Sequence, residues 1–137
     1  GIPNYCGRYA GPYDLVGFRG IIHLPYNWSN LALFENMRLG IPYFVPSRTF
    51  FRELVAQGNY FHAELGKLLQ EDVFDLSEWY CKEREGVITY FDSWEDLRRK
   101  VAACEGTALR KEVRERAEIY RAEMLRRWKK IFFLQPD

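Results

Sequence analysis

Glu35 is the residue on which a chemical reading of this chain turns. It lies in LALFENMRLG, a short segment of mainly apolar residues. A carboxylate carried into an apolar setting costs several kcal/mol unless something compensates it. Two arrangements meet that cost: an ion pair, for which Arg38 stands at i,i+3, or a cleft in which the carboxylate awaits a ligand. Just upstream, PYNWSN supplies Ser29 and Asn30, both residue types that cap helices. The free backbone N–H groups where the helix opens, at Asn30 or Leu31, then lie at the positive end of a helix dipole, a setting that suits phosphate or diphosphate. One turn later, Glu35 is placed to accept hydrogen bonds from the hydroxyl pair of a ribose. A nucleoside diphosphate accounts for the cap and the glutamate together.

The elements that must hold these residues follow from local pattern. Residues 1–20 carry five glycines and two prolines and read as a loop-rich lead-in, with one helical turn at Tyr13–Phe18. Ile21–Leu24 is a short, β-branched, apolar run bounded by Gly20 and Pro25, and reads as a buried strand. The capped helix spans Leu31–Leu39 and stops at Gly40, a favoured residue just past a helix end. Ile41–Val45 is a second buried strand. A strand, a short capped helix and a strand favour a βαβ crossover with parallel strands. A further helix covers Thr49–Gln57, and residues 60–84 read as a helix broken at Asp72–Ser77. Val87–Phe91 is a third strand, followed by a helix capped by Ser93 with Asp96 three residues on, a variant of the capping box. From Thr107 to Ile131, residues Leu109, Val113, Ala117, Tyr120, Met124, Trp128 and Ile131 mark one stripe of a long amphipathic helix.

The expected architecture is a single α/β domain over residues 1–137: a partial Rossmann-like, doubly wound parallel sheet with helices on both faces and a long C-terminal helix. Three strands leave an exposed sheet edge, so part of the sheet is expected upstream of residue 1. In open parallel sheets, ligands bind beyond the carboxyl ends of the strands. The first strand delivers the chain to residues 25–31, where the cap stands.

The segment FENMRLGIPYFVPS resembles the donor-site segment of retaining glycosyltransferases with two Rossmann-like domains, the GT-B architecture. The resemblance implies that Glu35 binds the ribose of a nucleotide sugar. It implies too that Gly40 and Pro42 are the structural Gly-x-Pro, and that the backbone of Ser29, Asn30 and Leu31 faces the diphosphate. Many members carry a second glutamate, with seven residues between it and the first, that touches the transferred sugar. Here Asn27 stands in that place, able to hydrogen-bond a hydroxyl but not to supply charge. Tyr26 and Tyr9 are candidates to stack on a base or sugar, and Arg8 and Arg19 to neutralise the diphosphate. VITYFDSWEDLRRKV resembles the late strand and helix of such donor domains, and the last helix the one that packs towards a partner domain. The chain would thus be the C-terminal, donor-binding portion of a transferase, inactive alone and completed by an upstream acceptor domain. No cofactor beyond the nucleotide-sugar substrate is implied, and no residue of this segment is cast as a general base.

Composition narrows the rest. With 47% hydrophobic and 28% charged residues, the chain has the balance of a soluble globular protein; aromatics at 17% predict a core built on Phe, Tyr and Trp. No apolar run is long enough to cross a bilayer and no secretory signal is visible. Cys6, Cys81 and Cys104 are odd in number and widely spaced, which argues against a disulfide framework or a zinc site. His23 and His62 lack metal-ligand spacing, and His23, inside an apolar strand, reads as a core histidine. Free thiols and a cytoplasmic location are expected. Asn27-Trp28-Ser29 matches a glycosylation acceptor, but falls where a buried loop is expected.

Two other functions compete. Residues 1–97 hold 8 basic against 13 acidic residues, whereas residues 98–137 hold 12 against 6. Arg110, Arg114, Arg121 and Lys129 could therefore form a nucleic-acid or membrane-surface face, although Glu112, Glu115, Glu118 and Glu123 interleave with them as on an ordinary solvated helix. A non-catalytic Rossmann-like scaffold is the other alternative, favoured by Asn27 standing where a glutamate is usual.

Overall fold

The computed structural model describes residues 2–58, 73–104 and 106–133. Three strands, β1 (Ile21–Ile22), β2 (Tyr43–Pro46) and β3 (Ile88–Phe91), form one sheet in the order β1-β2-β3. Both pairings are parallel, with Ile21 opposite Tyr43 and Tyr43 opposite Ile88. Four α-helices are described: α1 (Leu31–Arg38), α2 (Arg48–Ala56), α3 (Trp94–Ala103) and α4 (Gly106–Phe133). The chain is thus an α/β protein with a small parallel sheet and a long C-terminal helix.

The helix boundaries have local causes. Asn30 is extended, and its side chain accepts a hydrogen bond from the Ala32 N–H at 2.9 Å. At the other end of α1, the Gly40 N–H donates to the Met37 carbonyl (2.9 Å) and the Ile41 N–H to the Asn36 carbonyl (3.0 Å). These are the paired bonds of a Schellman cap, and Gly40 takes the φ of 70° that the motif requires. A Cβ at Gly40 would stand 2.6 Å from the backbone oxygen of Arg110 on α4, so glycine is also required by close approach. Ser47 caps α2 through Phe50 N–H. Ser93 caps α3 through Asp96 N–H, while Asp96 in return accepts from Asp92 N–H, one residue before the cap.

Alternation along β2 divides the core. Tyr43 and Val45 pack with Leu33 and Met37 of α1, Val113 and Ala117 of α4, and Phe74, Trp79 and Ile88. Phe44 joins the opposite cluster with Phe50 and Leu54 of α2, Phe91, and Leu97 of α3. Arg84, only 2% exposed, is clamped between the rings of Phe34 on α1 (4.6 Å) and Tyr120 on α4 (4.0 Å). Its Nε has no hydrogen-bond partner, so ring contacts and packing of its stem hold it.

Three expectations need correction. Residues 60–72 of the stretch read as a broken helix lie outside the described residues; the 3-10 turn at Phe74–Leu76 falls within the break expected at Asp72–Ser77, whereas residues 78–84, read as helix, carry a 3-10 turn at Lys82–Arg84. The strand expected at Ile21–Leu24 is two residues long; His23 N–H still bonds the Phe44 carbonyl at 2.9 Å, but Pro25 has no N–H with which to go on. The turn expected at Tyr13–Phe18 is a 3-10 turn at Pro12–Leu15.

Candidate functional site

Because the strands are parallel and each is followed by a helix, α1, α2 and α3 all open at the carboxyl edge of the sheet, capped by Asn30, Ser47 and Ser93. The sequence-derived candidates lie along the β1–α1 corner of that edge. Tyr26, Asn27, Ser29 and Leu31 are exposed, and Asn30 is half-buried. Tyr26 Oη lies 3.5 Å from the Asn30 amide nitrogen, which donates to it. Asn27 is folded onto its own loop: its side chain accepts from Trp28 N–H at 2.7 Å, and its carbonyl accepts from the Trp79 indole at 2.7 Å. With Asn27 and Ser29 exposed, the loop of the glycosylation-acceptor sequence is not buried as expected.

Glu35 is exposed too, one turn beyond Leu31 on the outward face of α1. The desolvation cost anticipated for it therefore does not arise. Nor does it pair with Arg38, whose Nε instead lies 4.0 Å from Glu118 on α4. The buried polar residue of this helix is its neighbour Asn36, 2% exposed, which donates to Tyr43 Oη at 2.7 Å and leaves its own oxygen unpaired. Among the described residues the Glu35 carboxylate has no partner and faces outward, while Asn36 ties α1 to β2.

The α1 N-terminus already has an anion beside it. Glu78, 48 residues away in sequence, accepts from Asn30 N–H at 3.2 Å, while its own N–H donates to the Trp28 carbonyl at 2.9 Å. Next to it, buried Trp79 stacks on His23 with ring centroids 3.9 Å apart. Burial lowers the His23 pKa to about 4, so at neutral pH it is an uncharged ring of the core, with Nε2 unpartnered. Of the basic candidates, Arg19 is engaged elsewhere, donating to the Val101 carbonyl of α3 at 3.2 Å, and Arg8 is exposed.

An open cavity lies beside this corner, and no motif in the sequence pointed to it. It encloses about 490 Å³ and is lined by Ser47, Arg48, Asp75, Cys81, Lys82 and Tyr90, among others. Arg48 is paired with Asp75 and also donates to the Tyr80 carbonyl at 3.0 Å. Tyr90 donates to the Trp79 carbonyl at 2.7 Å, and burial pushes its pKa up to about 12. Burial likewise raises the Cys81 thiol, which makes it a poor nucleophile at neutral pH. Residues 78–82 link the two places: Glu78 closes on α1, and Tyr80, Cys81 and Lys82 line the cavity.

No group of three or more His, Cys, Asp or Glu that could hold a metal occurs among the described residues. No described helix is long and apolar enough to cross a membrane. Cys6, Cys81 and Cys104 are unpaired. Comparison of the chain with protein-family models, with curated proteins and with solved structures returns no match.

Proposed function

We propose that this chain is the nucleotide-binding portion of a sugar-transferring enzyme, with a Rossmann-like donor domain that an acceptor domain completes. The observation that carries the reading is the parallel β1–α1–β2 unit, whose helix opens at the carboxyl edge with an exposed Glu35, one turn beyond Leu31, that pairs with no other described residue. In this arrangement the diphosphate of a nucleotide sugar sits against the N–H groups of Ser29, Asn30 and Leu31. Glu35 accepts the ribose hydroxyls, and Asn27 and Tyr26 stand towards the sugar. These groups orient the donor and stabilise the charge that develops on the leaving diphosphate; none of them moves a proton.

Glu78 favours a second reading, a non-catalytic scaffold, because its carboxylate occupies the Asn30 N–H that a phosphate would need. Under the donor reading, Glu78 must swing aside, and removing its charge should tighten binding of a diphosphate. Calorimetric titration of UDP, GDP and ADP, and of their glucose and mannose conjugates, separates the two. The donor reading requires one base to bind, Glu35→Gln to weaken it by about 1–3 kcal/mol, the worth of a charge-assisted hydrogen bond, and Glu78→Gln to strengthen it. Absence of binding in both the parent chain and Glu78→Gln would leave the scaffold.

A further inference from the structure

We propose that the C-terminal half of α4 is an interfacial arm that lies on an anionic lipid surface. Among the described residues, the first half of α4 is the part packed into the fold. Val113 and Ala117 are buried, Arg114 donates to the Leu39 carbonyl at 3.3 Å, and Tyr120 stacks on Phe34 at 6.0 Å. Beyond Tyr120 the same stripe runs on into water: Leu125 and Trp128 are each 48% exposed, Ile131 61% and Phe132 71%. Trp128 and Phe132 stack on one another at 5.3 Å, one turn apart, as a single aromatic ledge.

The charge of the arm selects the occupant. Residues 121–133 carry five basic side chains, Arg121, Arg126, Arg127, Lys129 and Lys130, against one acid, Glu123. Glu123 pairs with Arg126 and Arg127 and Arg121 pairs with Glu118, and residues 121–133 still carry an excess of four basic over acidic residues. At helical spacing, Met124, Leu125, Trp128, Ile131 and Phe132 share one arc of roughly 120°, which Arg121 enters at the start of the arm, whereas Arg126, Arg127, Lys129 and Lys130 fall outside it together with Phe133. Apolar Trp, Phe, Ile and Leu on one side and cations on the other are the chemistry of a helix lying in the headgroup layer. A second copy of the arm would bring five more basic residues into the same contact. A nucleic acid would engage the cations and leave the aromatic ledge in water. An anionic bilayer satisfies both faces, with Trp128, Ile131 and Phe132 at the acyl boundary and the cations on lipid phosphates. The arm rests in the plane of the surface, since α4 is not apolar enough to span it.

The test is co-sedimentation of the full chain with vesicles of phosphatidylcholine, alone or with about one-third phosphatidylglycerol, read together with tryptophan emission. The arm predicts binding to the anionic vesicles only, a blue shift that Trp128→Phe removes, and reversal by high salt. Trp128→Ser with Ile131→Ser, both at exposed positions that leave the core intact, should weaken binding more than about tenfold. Arg126→Glu with Lys130→Glu, which spares the apolar face, should weaken it to a similar degree. No vesicle binding, binding unchanged in both variants, self-association through the arm in sedimentation velocity, or a shift with oligonucleotide alone would overturn the proposal.

Discussion

With its carboxylate in water, Glu35 does little to hold the fold, so binding and stability are separable at this residue. Glu35→Gln should leave unfolding free energy within about 0.5 kcal/mol of the parent, while lowering nucleotide affinity as stated above. Arg84 has the opposite character. Its guanidinium is buried between two rings with Nε unpaired, an arrangement in which an apolar replacement of similar length does as well as the charge. Arg84→Met should hold stability within about 1 kcal/mol, whereas Arg84→Ala, which empties the space, should cost about 2–4 kcal/mol by chemical denaturation. His23 adds a pH dependence. Its pKa in the fold, about 4, lies below the ordinary 6.5, so the fold favours the neutral ring. Its contribution is complete above pH 6.5 and is lost as pH falls towards 4, by at most about 3 kcal/mol. Urea midpoints should therefore decline across that interval, and the decline should shrink in His23→Phe.

At the scale of elements, the strand–helix–strand unit was legible because its stops are single residues with single causes. Asn30 caps, Gly40 reverses the chain at positive φ, and Pro25 and Pro46 punctuate the strands. Gly40→Ala should destabilise the protein by more than about 1–2 kcal/mol, the cost of a left-handed residue alone, because its methyl would also meet the Arg110 carbonyl. A melting temperature unchanged in that variant would contradict the cap geometry. What was not legible depended on distant partners. Periodicity over eight residues did not decide which of Glu35 and Asn36 faces inward, since Asn36 is buried only through its bond to Tyr43 and the approach of α4. Glu78 meets Asn30 across 48 residues, a contact no local pattern announces. The turns of residues 78–84, a stretch that reads as helix, go with anchoring by buried Trp79 and Tyr80.

Over the whole molecule, the small parallel sheet is covered by one aromatic-rich cluster on each side of β2, and α4 runs past the edge of that core. Stability should therefore be graded along α4. Amide exchange should be slow around Val113 and Ala117 and fast from Glu123 to Phe133, where the helix has little tertiary packing to protect it. Among the described residues, the carboxyl edge offers a ligand the α1 corner and the cavity beside Arg48 and Lys82, as well as a cleft beside Ile22 and Trp94, and the proposed function depends on the first. The most direct test is a two-dimensional amide NMR titration of the chain with UDP, GDP and ADP. The account predicts that one nucleotide shifts the amides of Ser29, Asn30, Leu31 and Ala32, together with Glu78 as its carboxylate is displaced. Shifts confined to Ser47–Phe50 and Tyr80–Glu85, or no shifts with any of the three, would contradict it.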